Sequence, residues 1–278
     1  MMLDTVTERR FIMCDGIFTR YVALGDSQTE GVGDGDDATG LRGWADRLAE
    51  QLAAVNPELR YANLAVRGKL ARQIRAQQLD AALALRPDLA TVMAGMNDLL
   101  RPGFDADEVI EHIHAMFAAL TAQGATVVTL TFPDAGRIIP ITRPIRGRVH
   151  AMNARLRAAA DRYGVIVAET GHHPVVADPR LWSPDRLHAS PLGHRLIADA
   201  VADALGLPGS SDAWTLPLTP ALSERGMLAT ITGELQWAAT ALVPWAVHRL
   251  QGRSSGDTRI PKRPDLLPIP HSDSPIPH

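Results

Sequence analysis

Between Arg20 and about Leu207, short apolar runs alternate with longer stretches in which apolar residues return every three or four positions. The runs are Tyr21–Leu24, Leu59–Leu64, Leu89–Ala94, Ala125–Phe132 and Val165–Ala168. They are short, and several are rich in Val and Thr, as in strands covered on both faces of a parallel sheet. The stretches Trp44–Val55, Leu70–Leu85, Ala106–Leu120, Val149–Tyr163 and Pro191–Leu205 predict amphipathic helices. In the second, Leu70, Ile74, Leu79, Leu83 and Leu85 form an apolar stripe, with Arg72, Arg75, Gln77 and Asp80 between them. Strand alternating with helix at this spacing predicts a doubly wound α/β fold, a three-layer αβα sandwich around a parallel five-stranded sheet.

Past Leu207 the texture changes. Pro208-Gly209-Ser210-Ser211 reads as a linker. Leu228, Ile231, Leu235, Ala238, Leu242 and Ala246 then predict a helix over Glu224–Leu250, kinked near Pro244. From 252 the chain is polar with recurrent prolines, the composition of an extended, poorly ordered tail. The organisation expected is therefore a leader (1–17), the main domain (18–207), a linker and helix (208–251) and a tail (252–278). The helix offers a surface to an apolar patch of the same domain or to a second copy of the chain.

Composition narrows the partners. The 278 residues are 46% apolar and 21% charged, with a formal net charge of -3. A pI near 6.4 argues against nucleic acid as the main partner, which usually shows as a basic surplus. Cys14 is the one cysteine, so no disulfide forms within the chain, and a cytoplasmic location is the simple expectation. The charges at Asp4, Glu8, Arg9, Arg10 and Asp15 break the apolar core that a signal peptide needs. The longest late apolar stretch, Trp237–Val247, is too short for a bilayer and contains Pro244, so no transmembrane segment is expected.

Chemistry enters at the strand ends. In an open α/β sheet, ligands bind beyond the carboxyl ends of the strands. Ser27 follows the first strand, Gly68 the second, and Gly95-Met96-Asn97-Asp98 the third. The segment Ser183-Pro184-Asp185-Arg186-Leu187-His188 follows the fifth. All four emerge on one sheet edge. A serine hydroxyl becomes a nucleophile when a base takes its proton, and the imidazole of His188 suits that near neutral pH. Asp185, three residues earlier, would fix the imidazole tautomer and stabilise the imidazolium. The Ser27 and Gly68 N–H groups and the Asn97 amide would supply an oxyanion hole, each donor worth on the order of 3 kcal/mol in the transition state.

Other signals are weaker. Gly31-Val32-Gly33-Asp34-Gly35-Asp36 has Asp36 where a dinucleotide fingerprint needs its third glycine. Asp34, Asp36 and Asp37 suggest a calcium loop, but Thr39 and Ala45 stand where glycine and glutamate belong, so a solvated acidic loop is expected. Asp26 and Asp98 read as partners of loop backbone, and His194 as a supporting or surface residue. No cofactor or metal is expected.

The segments Gly25-Asp26-Ser27, Gly68, Gly95-Met96-Asn97-Asp98 and Asp185-Arg186-Leu187-His188 resemble, in order and separation, the four blocks of the SGNH hydrolases, also called GDSL esterases/lipases. The resemblance covers roughly residues 18 to 207. It implies a flavodoxin-like sandwich and metal-free ester hydrolysis through an acyl-enzyme. The roles it implies are Ser27 as nucleophile, His188 as base, Asp185 as its orienter, and Gly68 and Asn97 in the oxyanion hole. Gln28 departs from the leucine of the namesake motif. The expected partner is a small-molecule ester. Ile138, Ile139, Ile141 and Ile145, interleaved with Arg137, Arg143, Arg146 and Arg148, leave open a lysophospholipase or acyl-CoA thioesterase with an apolar acyl wall and cations near the leaving group. A binding module that docks a partner through the Glu224–Leu250 helix is the alternative of another class.

Overall fold

The first apolar run becomes strand β1 (Arg20–Gly25), buried at every residue after Arg20. The computed structural model describes residues 18–220, 256 and 258–270. Helix α1 (Ser27–Glu30), a small hairpin of β2 (Gly35–Asp36) and β3 (Gly40–Leu41), and α2 (Trp44–Val55) follow β1. Next come β4 (Arg60–Asn63), α3 (Ala71–Ala84), β5 (Leu89–Met93), α4 (Met96–Leu99), α5 (Ala106–Ala122) and β6 (Thr126–Leu130). The remainder is α6 (Ala135–Ile138), α7 (Arg146–Tyr163), β7 (Ile166–Ala168), α8 (Pro191–Leu205) and β8 (Arg263–Pro268). The leader 1–17 and the helix expected over Glu224–Leu250 lie outside the described residues. Among the described residues, no helix is long and apolar enough to cross a membrane.

Strands β7, β6, β5, β1 and β4 lie side by side in that order, all parallel. Helices α2 and α8 pack together on one face, and α3, α5 and α7 on the other. This is the expected three-layer sandwich. Its centre is apolar on both sides: Tyr21 on β1 stacks on its register partner Tyr61 on β4, ring centroids 5.0 Å apart. The chain steps outward from β1 to β4, then returns past β1 to β5. The order therefore reverses between β1 and β5, and the crevice beyond their carboxyl ends is the place for a ligand.

The sheet is not the five-stranded, all-parallel one expected. It has a sixth strand, β8, antiparallel to β4 at the sheet edge, with Tyr61 opposite Leu267 and Arg60 opposite Pro268. That strand falls inside the tail expected to be poorly ordered. Prolines are tolerated on an edge strand, where one row of backbone groups has no ladder partner to satisfy. Polar anchors hold the segment down. Lys262 Nζ contacts Asp46 at 2.5 Å, Arg263 donates to the Tyr61 carbonyl at 2.8 Å, and Arg259 contacts Asp37 at 2.5 Å.

Candidate active site

Strand β1 ends where Gln78 of α3 takes over its backbone. The Gln78 amide accepts from the Gly25 N–H and donates to the Gly25 carbonyl, both at 2.9 Å. Asp26 then caps α1 by accepting from the Gln28 N–H at 3.3 Å, which leaves Ser27 as the first helical residue. At that position a backbone N–H has no intrahelical acceptor. The Ser27 hydroxyl lies 2.9 Å from His188 Nε2, across 161 positions of sequence.

The loop carrying His188 is held from within. The Ser183 N–H donates to the His188 carbonyl at 2.8 Å, and Trp182 bridges to Ala189. Asp185 Oδ1 accepts from the Ser183 hydroxyl at 2.6 Å, from Leu187 N at 2.9 Å and from His188 N at 3.0 Å. Its Oδ2 lies 2.6 Å from His188 Nδ1. Burial alone would raise the Asp185 pKa. The His188 ring and the Ser183 hydroxyl outweigh it and hold the carboxyl well below the usual carboxylate range. A carboxylate only accepts, so Nδ1 carries the ring proton and Nε2 accepts from the Ser27 hydroxyl. Arg186 pays for the tight turn with a φ of 57°, a left-handed conformation unfavourable to a side-chain-bearing residue.

The two further expected donors stand in the segments that follow β4 and β5. Gly68 has a φ of 76°, a conformation that favours glycine, in the turn after β4. That turn is fastened to α1: Arg67 N donates to Glu30 at 2.7 Å, and its guanidinium reaches the same carboxylate at 2.9 Å. The Asn97 amide donates to Asp26 Oδ2 at 2.9 Å and to the Lys69 carbonyl at 3.1 Å. Asn97 thus ties the Gly68 turn to the cap of α1 and lines the same cavity as Ser27 and His188, whereas Gly68 is not among the residues lining that cavity. Asp98 accepts from Ala71 N at 3.0 Å, a loop-backbone role like the one expected.

Two buried groups titrate in opposite senses. His194 is fully buried, not at the surface: Trp44 N donates to its Nδ1 and its Nε2 donates to the Val32 carbonyl, both at 3.1 Å. Burial pushes it down to about 4, so the unfolded chain binds its proton first, and its contribution to stability is lost as pH falls from 6.5 towards 4. Asp26 is pushed up to about 6 by burial, so its contribution is lost as pH rises from 3.8 through 6. The slopes oppose each other. In Asp26→Asn the second disappears, and stability should fall more steeply between pH 7 and pH 4 than in the wild type, by about 3 kcal/mol. Urea unfolding across that range measures the difference; parallel curves for the two proteins would contradict it.

A cavity of about 150 Å³ opens beside Ser27 and His188, with Leu100, Ile138, Ile139, Val176, Leu181 and Trp182 in its wall. Of the expected acyl wall, Ile138 and Ile139 are there, while Ile145 packs against the core. The arginines stand elsewhere. Arg137, Arg143 and Arg146 line a separate recess with Asp134, which Arg146 contacts at 2.7 Å. Arg148 donates to the Arg101 carbonyl at 2.8 Å. In the acidic loop, Asp34 pairs with Arg47, and Asp37 with Arg67 and Arg259.

Sequence reasoning missed Gln78 and the reach of Gln28, which bonds to backbone on both sides of His188. The signal for Gln28 was present: a polar side chain next to Ser27, where the resembling motif has leucine.

Comparison with known proteins agrees with this architecture. Residues 23–196 match the model of the GDSL-like Lipase/Acylhydrolase family. A GDSL-like esterase of Mycobacterium tuberculosis is 31% identical over 201 residues, which cover 66% of this chain and 61% of that protein. The chain thus spans about three fifths of that curated relative's length. Among solved structures, the acetylxylan esterase Axe2 of Geobacillus stearothermophilus superposes with a TM-score of 0.58 at 20% identity, covering 70% of this chain and 97% of that one. The enzyme LAE5 from the metagenome of Lake Arreo, Spain, gives 0.58 at 23%, covering 68% and 95%. At such identities the likeness speaks to the fold. The family match spans most of the sandwich and contains Ser27, Gly68, Asn97, Asp185 and His188, and on that ground the chain belongs to the GDSL-like lipase/acylhydrolase family.

Proposed function

We propose that the protein hydrolyses carboxylic esters with a short-to-medium apolar acyl group, through an acyl-enzyme on Ser27. The observation that carries this reading is the unbroken series from Ser27 Oγ through His188 to Asp185, at 2.9 and 2.6 Å. Ser27 Oγ attacks the ester carbonyl while His188 Nε2 takes its proton, and Asp185 stabilises the resulting imidazolium. The negative oxygen of the tetrahedral intermediate is received by the Ser27 and Gly68 N–H groups and by the Asn97 amide, which exchanges a resting bond, to Asp26 or to the Lys69 carbonyl, for the oxyanion. His188 returns the proton to the departing alcohol oxygen. Water then adds to the acyl-serine by the same route, releasing the acid and restoring the hydroxyl.

Labelling with a fluorophosphonate should modify Ser27, located by mass spectrometry of the labelled peptide. An unlabelled Ser27 would favour a binding module instead.

Acyl size follows from the cavity. A volume of about 150 Å³ is that of a benzene-sized group, so a chain of about six carbons matches the cavity beside Ser27. An acetyl group, the acyl group named for the Geobacillus esterase, would leave most of it empty. Each methylene buried contributes about 0.8 kcal/mol. For a series of p-nitrophenyl esters, kcat/KM should therefore rise about fourfold per methylene added from acetate to about hexanoate, then level or fall. A flat series, or a maximum at acetate, would contradict the acyl assignment. Arg137, Arg143 and Arg146 lie outside the cavity wall, so an anionic leaving group would find its cation there in Arg186 and not in the expected arginine cluster.

A further inference from the structure

The residue after Ser27 makes a second connection between the two halves of the site. Gln28 Nε2 donates to the Leu187 carbonyl at 2.9 Å, and Gln28 Oε1 accepts from the Ala189 N–H at 3.2 Å. Leu187 and Ala189 are the immediate neighbours of His188. One amide, rigidly adjacent to Ser27 on α1, therefore grips the backbone on both sides of the imidazole-bearing residue. We propose that Gln28 is a positioning residue that sets the separation between Ser27 Oγ and His188 Nε2. This rests on the reading of Ser27 and His188 as nucleophile and base.

The bonds already described divide the task. Those from Asp185 to Ser183, Leu187 and His188 fix the shape of the loop, because these three partners lie within it. They do not fix where the loop sits relative to α1. Across that gap run the Ser27–His188 bond itself and the two bonds of Gln28. The first is broken and remade in each turnover as the proton moves. The Gln28 bonds involve no titrating group and persist through the cycle, so they hold the register while the proton is in transit. Gly33 allows the loop to seat closely: a Cβ there would come within 2.1 Å of the Ala189 carbonyl oxygen. Leucine at position 28 would fill a similar volume with neither donor nor acceptor. A displacement of about 1 Å between reacting groups is enough to cost on the order of a hundredfold in rate.

The test uses the full chain with Gln28→Leu, which removes both bonds, and Gln28→Glu, which keeps the acceptor for Ala189 but replaces the donor facing Leu187. Active sites are counted by fluorophosphonate titration, so that loss of folded protein does not register as loss of rate. The expected result is a fall of about tenfold to a hundredfold in kcat per titrated site for Gln28→Leu, and a fall in the same sense for Gln28→Glu, with KM for p-nitrophenyl hexanoate nearly unchanged. If Gln28→Leu does not fold, Gln28→Glu decides. A kcat per site that stays at the wild-type value, or a loss confined to KM, would overturn the positioning role. Ser27→Ala measured alongside separates the two ideas: full activity in that variant would sink the underlying assignment, whatever the Gln28 variants do.

Discussion

Ser27→Ala should lower ester hydrolysis by on the order of 10^4-fold or more, with the fold intact. Among the described residues the side chain bonds to His188 alone, and that ring is partly exposed, so the loss leaves no buried group stranded. Alanine also suits the helical position. The oxyanion donors and the acyl cavity remain in the variant, and a residual rate above that in water is expected from them. Steady-state hydrolysis of p-nitrophenyl hexanoate measures the loss, and a thermal melt shows that the protein is still folded. A well-folded variant that keeps even a tenth of the activity would mean that another residue attacks the ester.

Asp185→Asn should be nearly as damaging while changing less of the structure, lowering kcat by on the order of 10^3- to 10^4-fold. Asparagine keeps an oxygen to accept from Ser183, Leu187 and His188 N, so the loop retains its shape. Its other atom becomes an NH2 facing His188 Nδ1. That donor favours the ring tautomer with the proton on Nε2, and such a ring cannot receive the Ser27 proton. Because the carboxylate acts on the imidazole and not on the substrate, KM should change little. Comparison of kcat and KM separately provides the check; a loss expressed mainly in KM would point to a binding role for Asp185.

The strands and helices of the sandwich were legible because the central strands are buried on both faces and each long helix on one. Burial writes itself into the order of apolar and polar residues: β1 is a continuous apolar run, and the stripe on α3 marks the face that meets the sheet. Strand β8 left no such mark. With relative burial only intermediate or exposed along its length, it is selected by ladder bonds to β4 and by charged anchors, which apolar periodicity does not record. The site divides in the same way. Ser27, Asp185 and His188 were legible from residue type and place at the strand ends, and the structure puts them in bonding distance. Gly68 and Asn97 were expected as donors near that edge; the bonds that hold their segments, Arg67 to Glu30 and Asn97 to Lys69 and Asp26, were not legible, since each joins segments far apart in sequence. His194 was left open between a supporting and a surface role, and it is the first: both ring nitrogens are satisfied inside the protein by backbone groups.

The edge strand also sets a clock. Tyr61 on β4 and Arg263 on β8 are 202 positions apart. At the usual pace of about 5–20 residues per second, synthesis leaves the outer side of β4 without its partner for about 10–40 s. Throughout that interval a growing chain carries an open edge, the kind of template on which neighbouring chains pair wrongly. Strand β4 spans only four residues and begins with Arg60, so the template is short and charged at one end. Arrival of β8 closes it, which makes this strand the step that ends the nascent protein's exposure to its neighbours on a crowded polysome.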